Sequence, residues 1–241
     1  MTNIHIGTSG WNYTHWLGPF YPDRLPAKDM LQFYCRHFDT VELNNSFYHL
    51  PTPKSFRTWR ETVPEDFVFA VKGSRFITHM KKLKAPKTST RKFFARVKYL
   101  ENKLGPILFQ LPPHWTINIK RLSVFLERLP EEYRYAFEFR EQSWFTDEVY
   151  ELLKKHNAAL CLYHMSGYDS PAELTSDFVY LRFHGAESTY GGSYSESQLK
   201  MWATRIKAWR DHEKEVFVYF NNDPAAHAVY NAKSLRELLR A

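Results

Sequence analysis

Cysteine, long apolar runs and low-complexity segments are scarce or missing in this sequence. Its 241 residues include only two cysteines, too few for a disulfide framework. No CxxC, HExxH or zinc-finger spacing occurs, so no metal or cofactor is predicted from a motif. No window approaches the roughly 18 apolar residues of a membrane helix, and residues 1–6 lack both regions of a signal peptide. We therefore expect a cytoplasmic protein with no membrane partner.

Positive charge is concentrated in one part of the chain. The net charge is +7 overall, whereas residues 72–103 hold 11 lysines and arginines against one acid, Glu101, a net charge of +10. Such a segment predicts binding to an anion, nucleic acid included. A lysine-rich helix face is also typical of a merely solvated surface, and the apolar Phe93, Phe94 and Val97 indicate that part of the segment packs inward. Both interpretations stay open.

Short β-rich runs alternate with helix-like segments along the chain. The predicted strands span residues 4–9, 41–45, 67–72, 107–111, 135–140, 159–163, 178–184 and 216–221. Capping residues predict helix starts at Asn118, at Thr146 and at Ser195 with Gln198, with helix ends near 129, 156 and 212. Eight such units in about 240 residues predict an α/β fold, a single (β/α)8 TIM barrel over residues 1–241. A doubly wound sheet is the alternative, disfavoured because a Gly-rich phosphate loop is missing.

Alternation within the strands separates large apolar side chains from polar and charged ones. Every second strand residue faces the same side, and five predicted strands gather their polar residues near the carboxyl end. Because the outer face of a barrel strand packs under helices, we expect the polar face to line the lumen, at the end where barrel enzymes place their sites. The predicted site residues on or just after the strands are Glu42, Asn44, Lys72, Gln110, Glu138, Arg140, Arg182, His184, Asn221 and Asp223.

The charges of this set predict an anionic small-molecule ligand. Lys72, Arg140 and Arg182 are expected to bind its carboxylate or phosphate. Burying such ions costs several kcal/mol each unless they are paired, which favours a ligand site over a purely structural ion network. The same cations repel a metal ion, so none is predicted.

The carboxylates and the histidine are the catalytic candidates. Glu42 or Glu138 is expected to act as general base, with His184 as its acid/base partner. The ligand-binding candidates at the same level are Asn44, Gln110, Asn221 and Asp223.

Loops after the strands supply further candidates. Trp11 and Tyr48 are predicted to contact the ligand, with ordinary loop packing as the alternative for both. The glycine-containing segment 185–194 is typical of a mobile lid, or of a plain flexible loop.

Nine short motifs carry a resemblance to a known family. They are GTSGWNY (7–13), VELNNSFY (41–48), FAVK (69–72), TH (78–79), QLPP (110–113), FEFR (137–140), SW (143–144), RFHG (182–185) and FNND (220–223). In this order, over essentially the whole chain, the sequence resembles the YecE-like family, a domain of unknown function. The resemblance implies a TIM barrel and no established activity. It also implies a likeness in fold to metal-dependent sugar isomerases and apurinic endonucleases, which is analogy alone.

Three hypotheses for function follow. The leading one is an acid/base enzyme acting on a phosphorylated or carboxylated small molecule at the barrel mouth. The second is a nucleic-acid-binding or metal-dependent nuclease-like protein that uses the basic segment 72–103. The third is a binding protein that holds a regulator without turning it over. The sequence leaves the substrate, the reaction and the oligomeric state open.

Overall fold

The barrel strands are the ones that the alternation predicts, with one short addition. A computed structural model describes residues 4–84 and 87–240, and within these residues nine strands form. They are β1 (Ile4–Thr8), β2 (Thr40–Leu43), β3 (Val68–Lys72), β4 (Leu104–Gln110), β5 (Tyr135–Glu138), β6 (Ala159–Met165), β7 (Tyr168–Asp169), β8 (Phe178–Phe183) and β9 (Glu215–Phe220). The eight predicted strands correspond to β1–β6, β8 and β9, with boundaries that differ by at most three residues.

Eight parallel strands form a nearly closed barrel of the α/β TIM type. Their order is β1-β9-β8-β6-β5-β4-β3-β2, and β7 only extends β6 as an antiparallel hairpin. A bridge between Ser9 and Glu42 joins the two ends of the sheet, and Gly10 N donates to Glu42 O at 2.8 Å. A Cβ atom on Gly7 would lie 2.2 Å from Thr40 O, so this seam requires glycine. The predicted fold class is confirmed; the domain limits 1–241 stay a prediction.

Helices cover the outside of the barrel. They are α1 (Met30–Tyr34), α3 (Pro53–Thr62), α4 (Lys87–Val97), α5 (Ile119–Leu126), α6 (Asp147–Lys155), α7 (Glu196–Asp211) and α8 (His227–Arg240), whereas the four-residue helix α2 (Asn45–Tyr48) lies at the mouth, against the end of β3. The predicted caps are confirmed: Asn118 accepts from Arg121 N at 3.0 Å, Thr146 caps α6, and Ser195 forms a capping box with Gln198. Helix α5 ends three residues before the predicted position 129.

The predicted start of β4 is wrong by three residues. Gly105 and Pro106, residue types that commonly follow the end of a helix, lie inside the strand. The backbone turns earlier, at Glu101, whose φ is 51°. Proline fits here because the register of β4 against β3 shifts between Phe69 and Val71, where a regular ladder would need its missing N–H.

Two separate apolar layers result from strand alternation. Large outward side chains such as Phe69, Phe109 and Phe137 pack under the helices, and α4 adds Phe93, Phe94 and Val97 to this outer core. The lumen holds a second layer made of Ala70, Leu108, Ala136, Ala159, Cys161, Phe178, Tyr180, Phe217 and Tyr219. Small residues on one side of the lumen accommodate aromatic rings from the other. The polar carboxyl end of the same lumen face lies above this layer.

The helices also bear on the membrane prediction. Among those in residues 4–84 and 87–240, none combines the length and the apolar character that a membrane crossing requires.

A buried charged cluster at the barrel mouth

Arg182 is the centre of the polar end of the lumen. Its Nη2 donates to Glu42 Oε1 at 2.7 Å and its Nη1 donates to Glu138 Oε2 at 2.7 Å. All three side chains are completely buried. Strands β2, β5 and β8 thus meet through one guanidinium fork, the geometry for which arginine is suited and lysine is not. We call Glu42, Lys72, Glu138, Arg140, Arg182 and His184 the mouth cluster.

Glu42 is held by three donors. Besides Arg182, Ser9 Oγ donates to its Oε1 at 2.6 Å and Tyr180 OH donates to its Oε2 at 2.7 Å. Tyr180 lies two residues before Arg182 on β8, so the same lumen face carries both contacts. The sequence indicated no role for Tyr180, although strand alternation puts it on the face of Arg182, and Ser9 appeared only as part of the motif GTSGWNY (7–13).

Glu138 is surrounded by cations and is held ionised. Arg140 Nε donates to its Oε1, and His184 Nε2 lies 3.2 Å from the same oxygen. Burial alone would raise the pKa of Glu138, but Arg140, Arg182 and His184 hold it well below the usual range. Such a carboxylate is a weak base, although it stabilises positive charge beside it strongly.

His184 is neutral in this environment. Burial, opposed by Glu138 and aided by the two guanidinium groups, lowers its pKa to about 3. Arg140 Nη2 lies 2.8 Å from His184 Nε2, and Asn221 Nδ2 lies 3.2 Å from His184 Nδ1. Both ring nitrogens therefore have polar partners that fix the ring orientation.

Lys72 is the member of the cluster without a counter-ion. Its side chain, at the end of β3, is only 8% exposed, and its Nζ lies 4.3 Å from the centre of the Phe47 ring. No hydrogen bond or ion pair to this Nζ exists in the described part of the chain. Burial first, and Arg182 next, lower the pKa of Lys72 to about 8. Two carboxylates balance two guanidinium groups, which leaves the Lys72 amine as the surplus charge.

Some polar groups in and around this cluster have no hydrogen-bond partner among residues 4–84 and 87–240, and the remaining candidates lie beside it. Gln110 pairs in register with Glu138 and is 7% exposed. Asn44 Oδ1 and Arg182 Nε are both buried, and neither has a hydrogen-bond partner within the described residues. Asp223 is further away in the network, because its carboxylate contacts His15 at 3.3 Å; burial raises its pKa.

Neither aromatic candidate forms a hydrogen bond, ion pair or ring contact with the mouth cluster in the part of the chain that is described. Trp11 is 5% exposed and packs edge-on against Trp59 of α3, with ring centres 5.3 Å apart. This packing agrees with the loop-packing alternative, and ligand contact by Trp11 stays a prediction. Tyr48 is 64% exposed and touches Phe47 edge-on at 5.0 Å. Ligand contact by Tyr48 stays a prediction.

A loop covers the cluster from outside. In the segment 185–194, Tyr190 N donates to His184 O at 2.5 Å, and the Tyr190 ring lies edge-on to the His184 ring at 5.5 Å. Tyr190 has a φ of 65°, a left-handed conformation that non-glycine residues rarely adopt. Gly185 (φ 117°) starts this loop and approaches Gly191 O, where a Cβ atom would lie at 2.4 Å. The glycines identified in the sequence thus permit a tight cover over His184.

Within residues 4–84 and 87–240, no three histidine, cysteine, aspartate or glutamate side chains are grouped so that they could hold a metal ion. At the mouth, the oxygens of both glutamates are bonded to guanidinium, hydroxyl or imidazole groups instead.

Comparison with known proteins agrees with this fold. The sequence pattern of the family described as "Protein of unknown function DUF72" matches residues 5–241. The chain is 29% identical to the UPF0759 protein YunF of Bacillus subtilis, over 98% of this chain and 94% of that protein. It is 32% identical to the UPF0759 protein YecE of Escherichia coli K12, over 59% of this chain and 50% of that one. A crystal structure of a DUF72 family protein from Thermotoga maritima superposes with a TM-score of 0.89 at 31% identity, covering 99% of each chain.

Proposed function

This chain belongs to the DUF72 family, and we propose that its barrel mouth binds a small carboxylated or phosphorylated molecule on which the protein acts as an enzyme. One observation carries the proposal: Lys72 is buried among charged groups without a counter-ion. An unpaired buried ammonium ion is costly, and an anion placed beside it would offset that cost. The family description assigns no activity, so the proposal depends on the site alone.

Two further groups support a ligand at this place. Arg182 Nε is a buried donor and Asn44 Oδ1 a buried acceptor, each without a partner among the described residues. Buried polar groups are nearly always hydrogen-bonded, to protein, water or ligand. A small anion with hydroxyl or carbonyl oxygens would supply partners of both kinds.

The chemistry assigned to the cluster differs between its members. Glu138 is held ionised and His184 neutral, so proton transfer by this pair at neutral pH is unfavourable. Glu42 carries no such histidine contact and remains the general-base candidate. We assign Glu138 to stabilising positive charge and fixing Arg182 and Arg140.

Native mass spectrometry of the purified chain tests the proposal. We expect a co-purified anion on the wild-type protein, and its loss from a Lys72→Gln variant. The matched control is Lys54→Gln, because Lys54 is an exposed lysine on α3. An anion retained at equal occupancy by Lys72→Gln would show that the anion does not bind at the mouth.

The basic segment supports a second candidate function, nucleic-acid binding on the outside of the barrel. Adjacent grooves of about 530 and 420 Å³ lie along α4 and α5. Their basic lining residues, none ion-paired within the described ranges, are Lys84, Lys87, Arg91, Lys120, Arg121 and Arg128. Lys103 is not part of this face, since its Nζ is buried and donates to Arg60 O and Val63 O.

Salt-dependent binding of a duplex oligonucleotide separates this second function from the first. Each phosphate contact contributes about −0.9 to the slope of log K against log salt concentration. We expect the slope to fall by about 2 when Lys87 and Arg91 are both changed to Gln. Affinity that does not depend on salt would refute a phosphate-binding face.

A further inference from the structure

The backbone of Lys72 is fixed at the point where β3 enters the mouth cluster. Ser46 Oγ, on α2, donates to Lys72 O at 2.6 Å, and the Phe47 ring of the same helix lies against the Nζ atom. Ala70, the preceding residue on the lumen face, is small. The amine is therefore held by a strand and a short helix, in the position where barrel enzymes carry reacting groups.

The surroundings of the amine raise the fraction of its uncharged form above that of an ordinary lysine. Burial and the nearby Arg182 and Arg140 disfavour a third positive charge, while Glu42 and Glu138, already engaged by those arginines, offset this only in part. With a pKa of about 8, roughly one tenth of the amine is neutral at pH 7, against well under 0.1% for an ordinary lysine. Only the neutral amine is a nucleophile, and desolvation is a common means of activating it.

Arg140 is the group best placed to bind the carboxylate or phosphate of a substrate that reacts with this amine. Its Nη1 faces Met165 Sδ at 3.1 Å, and a thioether is a weak acceptor. A carboxylate or phosphate that replaced the thioether would gain a charge-assisted hydrogen bond. Arg182, in contrast, has both terminal nitrogens committed to Glu42 and Glu138.

From this geometry we infer that Lys72 is a catalytic nucleophile that forms an imine with an aldehyde or ketone bearing a carboxylate or phosphate. The inference rests on the proposed function and adds the reacting group of the substrate. The neutral amine attacks the carbonyl carbon, the amine nitrogen loses a proton, and the carbonyl oxygen becomes a hydroxyl. That hydroxyl accepts a second proton, supplied by solvent, and leaves as water, so one C=N bond replaces one C=O bond, the nitrogen keeps its remaining proton, and no oxidant or reductant is needed. Glu42 and Glu138 stabilise the positive charge of the protonated imine.

Borohydride trapping on the full chain tests this inference. The protein is incubated with pyruvate or with dihydroxyacetone phosphate, reduced with sodium borohydride, and analysed by intact mass and peptide mapping. We expect one adduct per chain, heavier by the substrate minus one oxygen atom, on Lys72. Its formation should be about ten-fold or more faster than on any other lysine. Pyruvate and dihydroxyacetone phosphate distinguish a carboxylate from a phosphate preference.

Two variants and one competitor distinguish a failure of this inference from a failure of the proposed function. Lys72→Arg keeps the positive charge and should lose the adduct, whereas Lys54→Met should keep it. Inorganic phosphate should slow trapping if the anion and the carbonyl compound share the mouth. Phosphate binding that needs Lys72, without any adduct on Lys72, would overturn the inference and leave the proposed function intact. Adducts spread over surface lysines, with no anion bound at the mouth, would overturn both.

Discussion

Removing Arg182 should destabilise the fold more than any single change at the surface. The guanidinium joins two completely buried carboxylates, each at 2.7 Å. In an Arg182→Met variant Glu138 would keep Arg140, but Glu42 would keep only the hydroxyl groups of Ser9 and Tyr180. Breaking a buried ion pair by removing one partner costs about 3–5 kcal/mol, because an uncompensated charge stays behind. We expect a loss in this range, a large part of a typical stability of about 5–15 kcal/mol.

Urea unfolding at pH 7, followed by circular dichroism, measures this loss. Arg205→Met is the matched control, since Arg205 forms a half-exposed pair with Asp169 at 3.4 Å and should cost less than about 1 kcal/mol. Adding Glu42→Gln to Arg182→Met should restore part of the stability, because the charge left behind is removed. A loss below about 1 kcal/mol for Arg182→Met, or no restoration in the double variant, would show that Arg182 does not compensate the buried charge of the two glutamates.

Three further predictions follow from single features. Because the folded pKa of Glu138 lies below its unfolded value of about 4.3, its contribution to stability should be present above that pH and be lost as pH falls through the folded pKa. In urea unfolding between pH 2 and 6, Glu138→Gln should therefore weaken the dependence of the free energy of unfolding on pH, and an unchanged dependence would contradict this. Gly7→Ala should cost about 3 kcal/mol, measured in the same way, because its Cβ would meet Thr40 O at 2.2 Å; a neutral effect would refute the tight seam. Tyr190→Ala should loosen the loop and so accelerate hydrogen exchange at the backbone amide of His184, whose ring Tyr190 contacts. An unchanged exchange rate would show that the loop does not protect His184.

The fold was predictable because each layer of the barrel leaves a periodic signal. Alternation in β3 and β5 separates Phe69 and Phe137 from the lumen residues, and the outer helices begin at recognisable caps. The two-residue strand β7 is too short to show a period. The start of β4 was missed because Pro106 usually ends regular structure, and only the register against β3 shows that it fits here.

The members of the mouth cluster were predictable from the sequence, but the contacts between them were not. Strand alternation alone assigns Glu42, Glu138 and Arg182 to one lumen, yet which oxygen meets which nitrogen depends on barrel stagger, which no local pattern encodes. For the same reason the pairing of both glutamates, and the isolation of Lys72, could not be foreseen. The role of Trp11 could not be decided from the sequence, since an aromatic residue in a loop suits a ligand and a core equally well, and ligand contact by Trp11 stays a prediction.

Lysine side-chain NMR gives the most direct test of the central claim, that Lys72 is an unpaired buried amine that binds a small anion. Protein labelled with 13C at lysine Cε is titrated with pH, with and without inorganic phosphate, and the Lys72 signal is assigned with Lys72→Arg. We expect a pKa of about 8 without phosphate and a higher pKa with it, because a bound anion stabilises the charged amine. A signal that titrates near the ordinary value of about 10.4, and does not change when phosphate is added, would contradict the claim.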